Sequence, residues 1–184
     1  MSENRERYVS PFSTRYASRE MQYLFSEEHK FRTWRRLWIA LARAEKTLGL
    51  KITDEQIAEM ERFRDEIDYD VAEAREKECR HDVMSHVYAY GVQCPAAKPI
   101  IHLGATSCYV GDNAEIIVLR EAAALLEKKA AQVLRNLAAF AEKYKGTPCL
   151  GYTHLQPAQP VTVGKRAALW MIELLIDLEN LAFQ

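Results

Sequence analysis

The chain has 184 residues and a nearly balanced charge, with 25 Lys and Arg against 26 Asp and Glu and a formal net charge of −1. This balance argues against a nucleic-acid-binding protein, because such proteins usually carry a basic surplus that neutralises phosphates. Hydrophobic residues make up 48% and charged residues 28%, which indicates a folded globular chain. With only 7 Gly and 6 Pro, a turn-rich β-sandwich or a Rossmann sheet is disfavoured.

Targeting and membrane signals are not evident in the sequence. Residues 1–8 are polar and contain no apolar segment typical of a signal peptide. The most apolar run, residues 167–176, is too short to span a bilayer. The four cysteines form no Cys-x-x-Cys pair, and a chain of this size does not need disulfides to fold. We therefore expect reduced thiols, a cytoplasmic location and no membrane partner.

Hydrophobic periodicity predicts α-helix over most of the chain. Apolar residues recur at three- and four-residue steps from Phe31 to Leu48, and Gly49 stands where a helix-ending glycine belongs. Thr53 and Gln56 form a capping-box pattern that begins a short second helix. Together with the segments that follow, these patterns predict an all-α fold.

A third helix is predicted over residues 69–90, with an unusual mixture of side chains on one face. Arg80, His81 and Asp82 interrupt its apolar stripe. His81 and His86 are separated by about 140° around a helix, so they do not form a zinc-binding pair. The cluster can bind an anion or handle a proton, because Asp82 can orient an imidazole. The alternative is a solvated charged face with a structural histidine.

Prolines and glycines break the helical pattern after the third helix, which indicates an ordered connector. This connector carries His102, Thr106 and Ser107, and a long helix capped by Asp112 or Asn113 follows it. Small residues, hydroxyl groups and a helix N-terminus favour an anionic ligand, although a plain capped loop has the same composition. No Walker or dinucleotide fingerprint is present, so the sequence predicts no nucleotide triphosphate fold.

Two further polar segments lie outside the predicted helices. A non-periodic N-terminal arm carries Arg15 and Tyr16, which either bind phosphate or carboxylate or simply pin the arm to a neighbouring element. A second connector holds Thr153 and His154 close to two prolines, and a histidine fixed in this way is suited to general acid or base catalysis. The plain alternative is a polar loop that happens to contain a histidine.

The second half of the chain is predicted to form two long helices. The first, ending near residue 144, is as long as a compact globule of this size is wide, which indicates an elongated bundle that packs against other chains. The last, from about residue 161, is apolar on nearly every side and is typical of a helix buried in a large core. Because it lacks a C-terminal signal, we expect the chain to end mid-bundle. The predicted domains are 1–111 and a truncated 112–184.

Four of these segments together resemble the adenylosuccinate lyase family of the fumarase/aspartase superfamily, from about residue 13 to 184. The Arg-His-Asp helix and the Thr-Ser-Cys-Tyr-Val-Gly-Asp-Asn stretch are the most specific. The Thr-His-x-Gln-Pro-Ala-Gln element is weaker, because argininosuccinate lyase carries something similar. The matching segments are Ser13–Ser18, Arg80–His86, Ile101–Asn113 and Thr153–Arg166.

The resemblance implies a β-elimination that releases fumarate from adenylosuccinate, giving AMP, and from the succinyl-aminoimidazole-carboxamide ribotide one stage earlier. It implies neither a metal nor an organic cofactor. His154 matches the family's general acid. The remaining residues match contacts to the succinyl-purine nucleotide: Thr106, Ser107 and Thr153 to its succinyl part, Arg15, Tyr16, Arg80, His81 and Asp82 to its nucleotide part, and His102 as a pocket histidine.

The resemblance also implies three helical domains and a homotetramer, formed through a long central bundle, whose active sites each draw on three subunits. The family's general base is a serine in a Ser-Ser-x-Met-Pro-x-Lys-x-Asn-Pro segment, which these 184 residues do not contain. We therefore expect the chain, as the N-terminal portion of such an enzyme, to bind poorly and to be inactive alone. The alternatives are another fumarate-releasing lyase, such as argininosuccinate lyase, and a non-catalytic helical interaction module.

Overall fold

The computed structural model describes residues 8–183 and confirms the mainly helical fold. The chain divides into two compact units between Arg120 and Glu121. No helix in the described residues is long and apolar enough to cross a membrane. A π-helical turn at Phe12–Tyr16 precedes α1 (Arg19–Leu24), α2 (Glu27–Thr47), α3 (Asp54–Arg62), α4 (Tyr69–Cys79), α5 (Asp82–Gln93), α6 (Ser107–Lys143), β1 (Pro148–Thr153), β2 (Gln156–Thr162) and α7 (Val163–Phe183).

Helix α2 supplies the central apolar face of the first unit. Its Ser26 cap accepts a hydrogen bond from the backbone N–H of His29 at 3.3 Å, which satisfies one of the free donors of the first turn. The face predicted from the sequence is buried, with Trp34 and Trp38 each only 1% exposed. The core around them is completed by Met60 of α3, Tyr90 of α5, and Ile100, Ile101 and Val110 beyond it.

A buried guanidinium ties α2 to two other segments. Arg35 donates hydrogen bonds to the carbonyl oxygens of Phe63 and Glu66, the latter at 2.8 Å, and to Oε1 of Gln93 at 2.6 Å. The guanidinium also lies 4.1 Å from the ring centroid of Tyr90. Because the fork of donors is rigid, these bonds fix the α3–α4 loop and the end of α5 against α2.

The prediction of one continuous helix over residues 69–90 is wrong, because the structure has two helices there. Helix α4 ends at Cys79, and Arg80 adopts a left-handed conformation with φ of 55°. That conformation ends a helix, and it is uncommon for a residue with a Cβ. His81 then caps α5, which continues through Gly91 to Gln93. The Arg-His-Asp triplet therefore lies at a helix junction and not on a helix face.

Both predicted connectors differ from expectation: the first is shorter, and the second forms regular β-structure. Helix α6 begins at Ser107 and not at Asp112 or Asn113, since the helical hydrogen bonding starts before Gly111 and includes it. The second connector forms an antiparallel hairpin, in which Pro148 pairs with Thr162 and Thr153 with Gln156. Its prolines are compatible with this sheet because both strands are edge strands, where proline in a sheet is usually found.

In the second unit, α7 packs closely on the end of α6 at one point. A Cβ atom at Gly164 would lie 2.4 Å from the carbonyl oxygen of Ala141, so only glycine fits there. The expectation that α7 is buried all round is not met within residues 121–183. Gly164 and Ala167 are buried, whereas large apolar side chains on the other faces are exposed: Leu169, Trp170, Ile172, Leu175 and Ile176.

Replacing Arg35 by methionine should lower the free energy of unfolding by about 3 kcal/mol, because the substitution leaves its carbonyl acceptors without a donor. Arg36→Met is the matched control. Arg36 is the exposed neighbour, and the hydrogen bond that it makes in the described residues is to Oγ1 of Thr33 at 2.7 Å, so its loss should cost less than about 0.5 kcal/mol. Urea denaturation of the two variants measures the difference, and equal costs would contradict the role assigned to Arg35.

Candidate functional site

His81 connects the α4–α5 junction to the start of α6. Its Nδ1 accepts a hydrogen bond from the backbone N–H of Met84 at 3.4 Å, as the cap of α5. A neutral imidazole that accepts at Nδ1 carries its proton on Nε2, and Nε2 lies 3.0 Å from Oγ of Ser107. His81 therefore donates to Ser107, which leaves the Ser107 hydroxyl proton free to be donated to a ligand.

Asp82 lies on the first turn of α5 beside three groups, one of which is Nδ1 of His81, 3.7 Å from its Oδ1. Its Oδ1 accepts the backbone N–H of Val83 at 2.7 Å, and its Oδ2 lies 4.0 Å from Nζ of Lys30 on α2. Both charged side chains are about half exposed, so this ion pair contributes less than about 1 kcal/mol. A carboxylate at a helix N-terminus is favourable, and Lys30 balances its charge beside the junction.

His102 is held in the first connector by a tryptophan of the core. The indole N–H of Trp38 donates to Nδ1 of His102 at 3.0 Å, and the two rings meet edge to face at 6.0 Å. The backbone at His102 is left-handed, with φ of 65°. Burial, and to a lesser degree the electrostatic effect of the nearby His81 imidazole, lowers the pKa of His102. At neutral pH this side chain is therefore an uncharged N–H donor.

His86, which the sequence placed beside the Arg-His-Asp cluster, belongs to the core. Its ring stacks on Phe31 with centroids 3.7 Å apart and meets Trp34 edge to face at 5.7 Å. Burial, followed by the nearby charges of Arg35 and Lys30, lowers the pKa of His86 to about 4, although Asp82 opposes the shift. Of the two interpretations of this segment, the one that makes His86 a structural histidine is therefore correct.

The remaining predicted residues of the first unit are exposed. Arg80 immediately precedes His81, and Thr106 immediately precedes Ser107. Both side chains face solvent. Arg15 and Tyr16 belong to the N-terminal π-helical turn. The guanidinium of Arg15 lies 5.6 Å from the ring centroid of Tyr16. Within residues 8–183 no hydrogen bond joins these two arm residues to the others.

Thr153 and His154 lie at the tip of the hairpin in the second unit. Thr153 pairs with Gln156, so His154 and Leu155 form a two-residue turn. Both have positive φ values, 51° and 62°, as a type I′ turn requires. That turn usually selects Asn-Gly, and the larger residues here store backbone strain of a kind that is concentrated at functional sites. His154 is exposed, and Leu155 is 97% exposed.

The structure thus brings together three of the predicted residues of the first unit, His81, Ser107 and His102. Sequence reasoning missed two side chains that support them. In the sequence, Trp38 is recognisable only as part of the apolar face of α2, and nothing identifies Lys30 as a neighbour of the candidate site. In the described part of the chain, no three His, Cys, Asp or Glu side chains are grouped as metal ligands would be.

The chain matches a known protein family over nearly its whole length. Residues 11–183 match the family model described as Lyase. The chain belongs to this lyase family. It is 53% identical over 176 residues to the adenylosuccinate lyase of Schistosoma mansoni, and 52% identical over 178 residues to that of Saccharomyces cerevisiae. These matches confirm the resemblance found in the sequence.

The lyase chain covers only part of these relatives. The two matches include 96% and 95% of this chain but only 37% of each relative. Solved structures show the same proportions. A 3-carboxy-cis,cis-muconate lactonizing enzyme from Pseudomonas putida aligns with a TM-score of 0.82 and 28% identity, over 93% of this chain and 40% of its own. A fumarate lyase from Mesorhizobium sp. BNC1 aligns with a TM-score of 0.81 and 27% identity, over 90% and 40%.

The low pKa of His86 predicts acid sensitivity. The unfolded chain binds this proton near pH 6.5 and the folded chain only near pH 4, so stability falls as the pH drops through that interval. His86→Phe keeps an aromatic ring against Phe31 and removes the titrating group. Between pH 7 and 4.5 the His86→Phe variant should lose about 2 kcal/mol less unfolding free energy than the native chain. Urea denaturation at each pH measures this difference, and equal losses in the two proteins would contradict the assignment.

Proposed function

We propose that this chain supplies part of the active site of an adenylosuccinate lyase. Such an enzyme releases fumarate from adenylosuccinate, giving AMP, and from the succinyl-aminoimidazole-carboxamide ribotide, giving the aminoimidazole-carboxamide ribotide. The observation that carries the proposal is the 53% identity to an adenylosuccinate lyase across 96% of this chain. The lactonizing enzyme and the fumarate lyase found by structure are only 28% and 27% identical to this chain.

The donors of the first unit suit the succinyl part of such a substrate. In the elimination, a base removes a proton from the carbon beside a carboxylate, and negative charge accumulates on that carboxylate as the C–N bond weakens. Ser107 has a hydroxyl proton to donate because His81 already donates to its oxygen. The N-terminus of α6, which begins at Ser107, adds backbone N–H groups. Donors fixed before the reaction stabilise the developing charge.

His154 is the residue proposed to complete the elimination as the general acid. When the C–N bond breaks, its electron pair goes to the departing nitrogen, which needs a proton. The imidazole of His154 is exposed on a strained turn and is free to give that proton once substrate lies against it. Thr153, immediately before it, has a hydroxyl to hold a carboxylate of the succinyl group. Arg15, Tyr16, Arg80, His81, Asp82 and His102 are proposed to contact the nucleotide and to line the pocket.

The proposed base is a serine in a segment that these 184 residues do not contain, so the chain alone should release no fumarate. The proposed enzyme is a homotetramer with shared active sites. The exposed apolar side chains of α7, among them Trp170 and Leu175, support this, since large exposed apolar side chains grouped on one helix are typical of an interface. All four cysteines are free thiols, as expected for a cytoplasmic enzyme.

A chimaera tests the proposed function directly. In it, this chain replaces the matched part of the Saccharomyces cerevisiae relative, which is 52% identical over 178 residues. The chimaera should release fumarate from adenylosuccinate and not from argininosuccinate. Fumarate from argininosuccinate instead would favour the sister lyase. A folded chimaera that is inactive on both substrates would favour the helical interaction module.

His154→Asn in the same chimaera should lower kcat by about 10² to 10⁴-fold, because the substitution removes the general acid. Asparagine tolerates the left-handed conformation of the turn, so the hairpin is retained and KM should change far less. Leu155→Asn is the matched control, since it alters the adjacent turn residue and keeps the imidazole; its kcat should stay within about twofold of the parent's. A His154→Asn chimaera with parental kcat would show that the acid is a different group.

A further inference from the structure

Trp38 makes a contact that the packing of the core does not require. Its ring is 1% exposed and lies against Trp34 and Tyr90, as an apolar side chain on the buried face of α2 would. Its indole N–H, however, points out of this cluster to the connector and donates to Nδ1 of His102 at 3.0 Å.

Trp34 shows that a tryptophan in this core does not need such a partner. It is equally buried, one turn earlier on the same helix, and its indole nitrogen is buried with no hydrogen-bond partner in the described structure. An unpartnered buried N–H is costly, so the Trp38–His102 bond is stabilising. In the described residues, the two tryptophans differ in that the indole N–H of Trp38 reaches His102 of the first connector and that of Trp34 reaches no acceptor.

The bond to Trp38 determines which nitrogen of His102 carries the proton. Indole N–H is a donor and never an acceptor, so Nδ1 of His102 must present its lone pair. The proton of the neutral ring is then on Nε2, and no described residue accepts a hydrogen bond from Nε2. A proton cannot be added to Nδ1 without breaking the bond to Trp38. The imidazole of His81 lies nearby, and its electrostatic effect on His102 acts in the same direction, since it also lowers the pKa of His102.

We propose that Trp38 is a positioning residue, which holds His102 as the neutral Nε2–H tautomer so that the connector presents an N–H donor to an acceptor oxygen of the ligand. The ligand class is the one named above, an oxyanion of a succinyl-purine nucleotide, so this part of the proposal rests on the proposed function. Trp38 itself does not touch the ligand. It acts through the ring of His102, whose left-handed backbone it also anchors to the core.

Nitrogen-15 NMR of the 184-residue chain tests the bond without any ligand. A scalar coupling across the hydrogen bond should join Nε1 of Trp38 to Nδ1 of His102, and the His102 proton should be on Nε2. Trp38→Phe should abolish the coupling, release Nδ1 and raise the pKa of His102. Trp34→Phe is the matched control, because it removes an indole of equal burial and should leave the coupling and the His102 titration unchanged.

If Trp38→Phe does not fold, the sulfur analogue of tryptophan, benzothienylalanine, placed at position 38 keeps the ring size and removes only the N–H donor. It should reproduce the effects on His102 at native stability. A proton on Nδ1 of His102 in the native chain, or a titration that neither replacement moves, would overturn the proposal.

Kinetics of the chimaera separate positioning from general stability. Trp38→Phe should raise KM for adenylosuccinate about tenfold with kcat within about twofold, as the weakening of one hydrogen bond to a charged ligand predicts. Trp34→Phe should leave both constants near the parent's. A parental KM for Trp38→Phe in an active chimaera would overturn the positioning role alone. If the NMR result is as expected and the parent chimaera releases no fumarate, the proposed function fails and the tautomer assignment stands.

Discussion

The guanidinium of Arg35 joins three segments that are well separated in sequence, and the arrangement of the first unit depends on it. Its bonds to Phe63, Glu66 and Gln93 fix the C-terminal end of α5 against α2. Because α5 is a rigid helix, fixing one end also sets the position of His81 at the other end. His81 in turn reaches Ser107 at the start of α6. A charged side chain buried in the core thereby determines where the hydrogen-bond donors of the first unit lie.

Apolar periodicity predicts helices in the regions of α2, α3, α6 and α7, whereas the prediction fails where the backbone leaves the common conformations. The capping box of Thr53 and Gln56 is present in the structure as predicted. The helix break at Arg80 could not be predicted, because a left-handed helix end is usually glycine and an arginine gives no sequence signal for one. The hairpin was missed for a related reason. Three prolines argue against a strand, and a His-Leu turn lacks the usual Asn-Gly signature.

The candidate residues of the proposed site could be selected from the sequence, whereas the hydrogen bonds that hold them could not. Histidines and hydroxyls in non-helical segments are conspicuous, so His81, His102, Ser107 and His154 could be selected from type and context. The hydrogen bond from Trp38 could not, because periodicity shows only that a tryptophan is buried and not where its N–H points. His86 shows the converse, since its proximity in sequence to His81 suggested chemistry and its burial against Phe31 makes it structural.

The donors of the first unit share a property that bears on the proposed elimination: at neutral pH Ser107 and His102 are uncharged. A fixed cation at the same place would bind the carboxylates of substrate and fumarate strongly in the ground state, and such uniform binding does not raise kcat. The neutral O–H group of Ser107 interacts weakly with a carboxylate that is already solvated, and more strongly as charge accumulates on it. The low pKa of His102 and the bond from Trp38 keep the N–H donor of His102 neutral and oriented, so its expected contribution is a moderate one to substrate binding, without the strong product binding of a fixed cation.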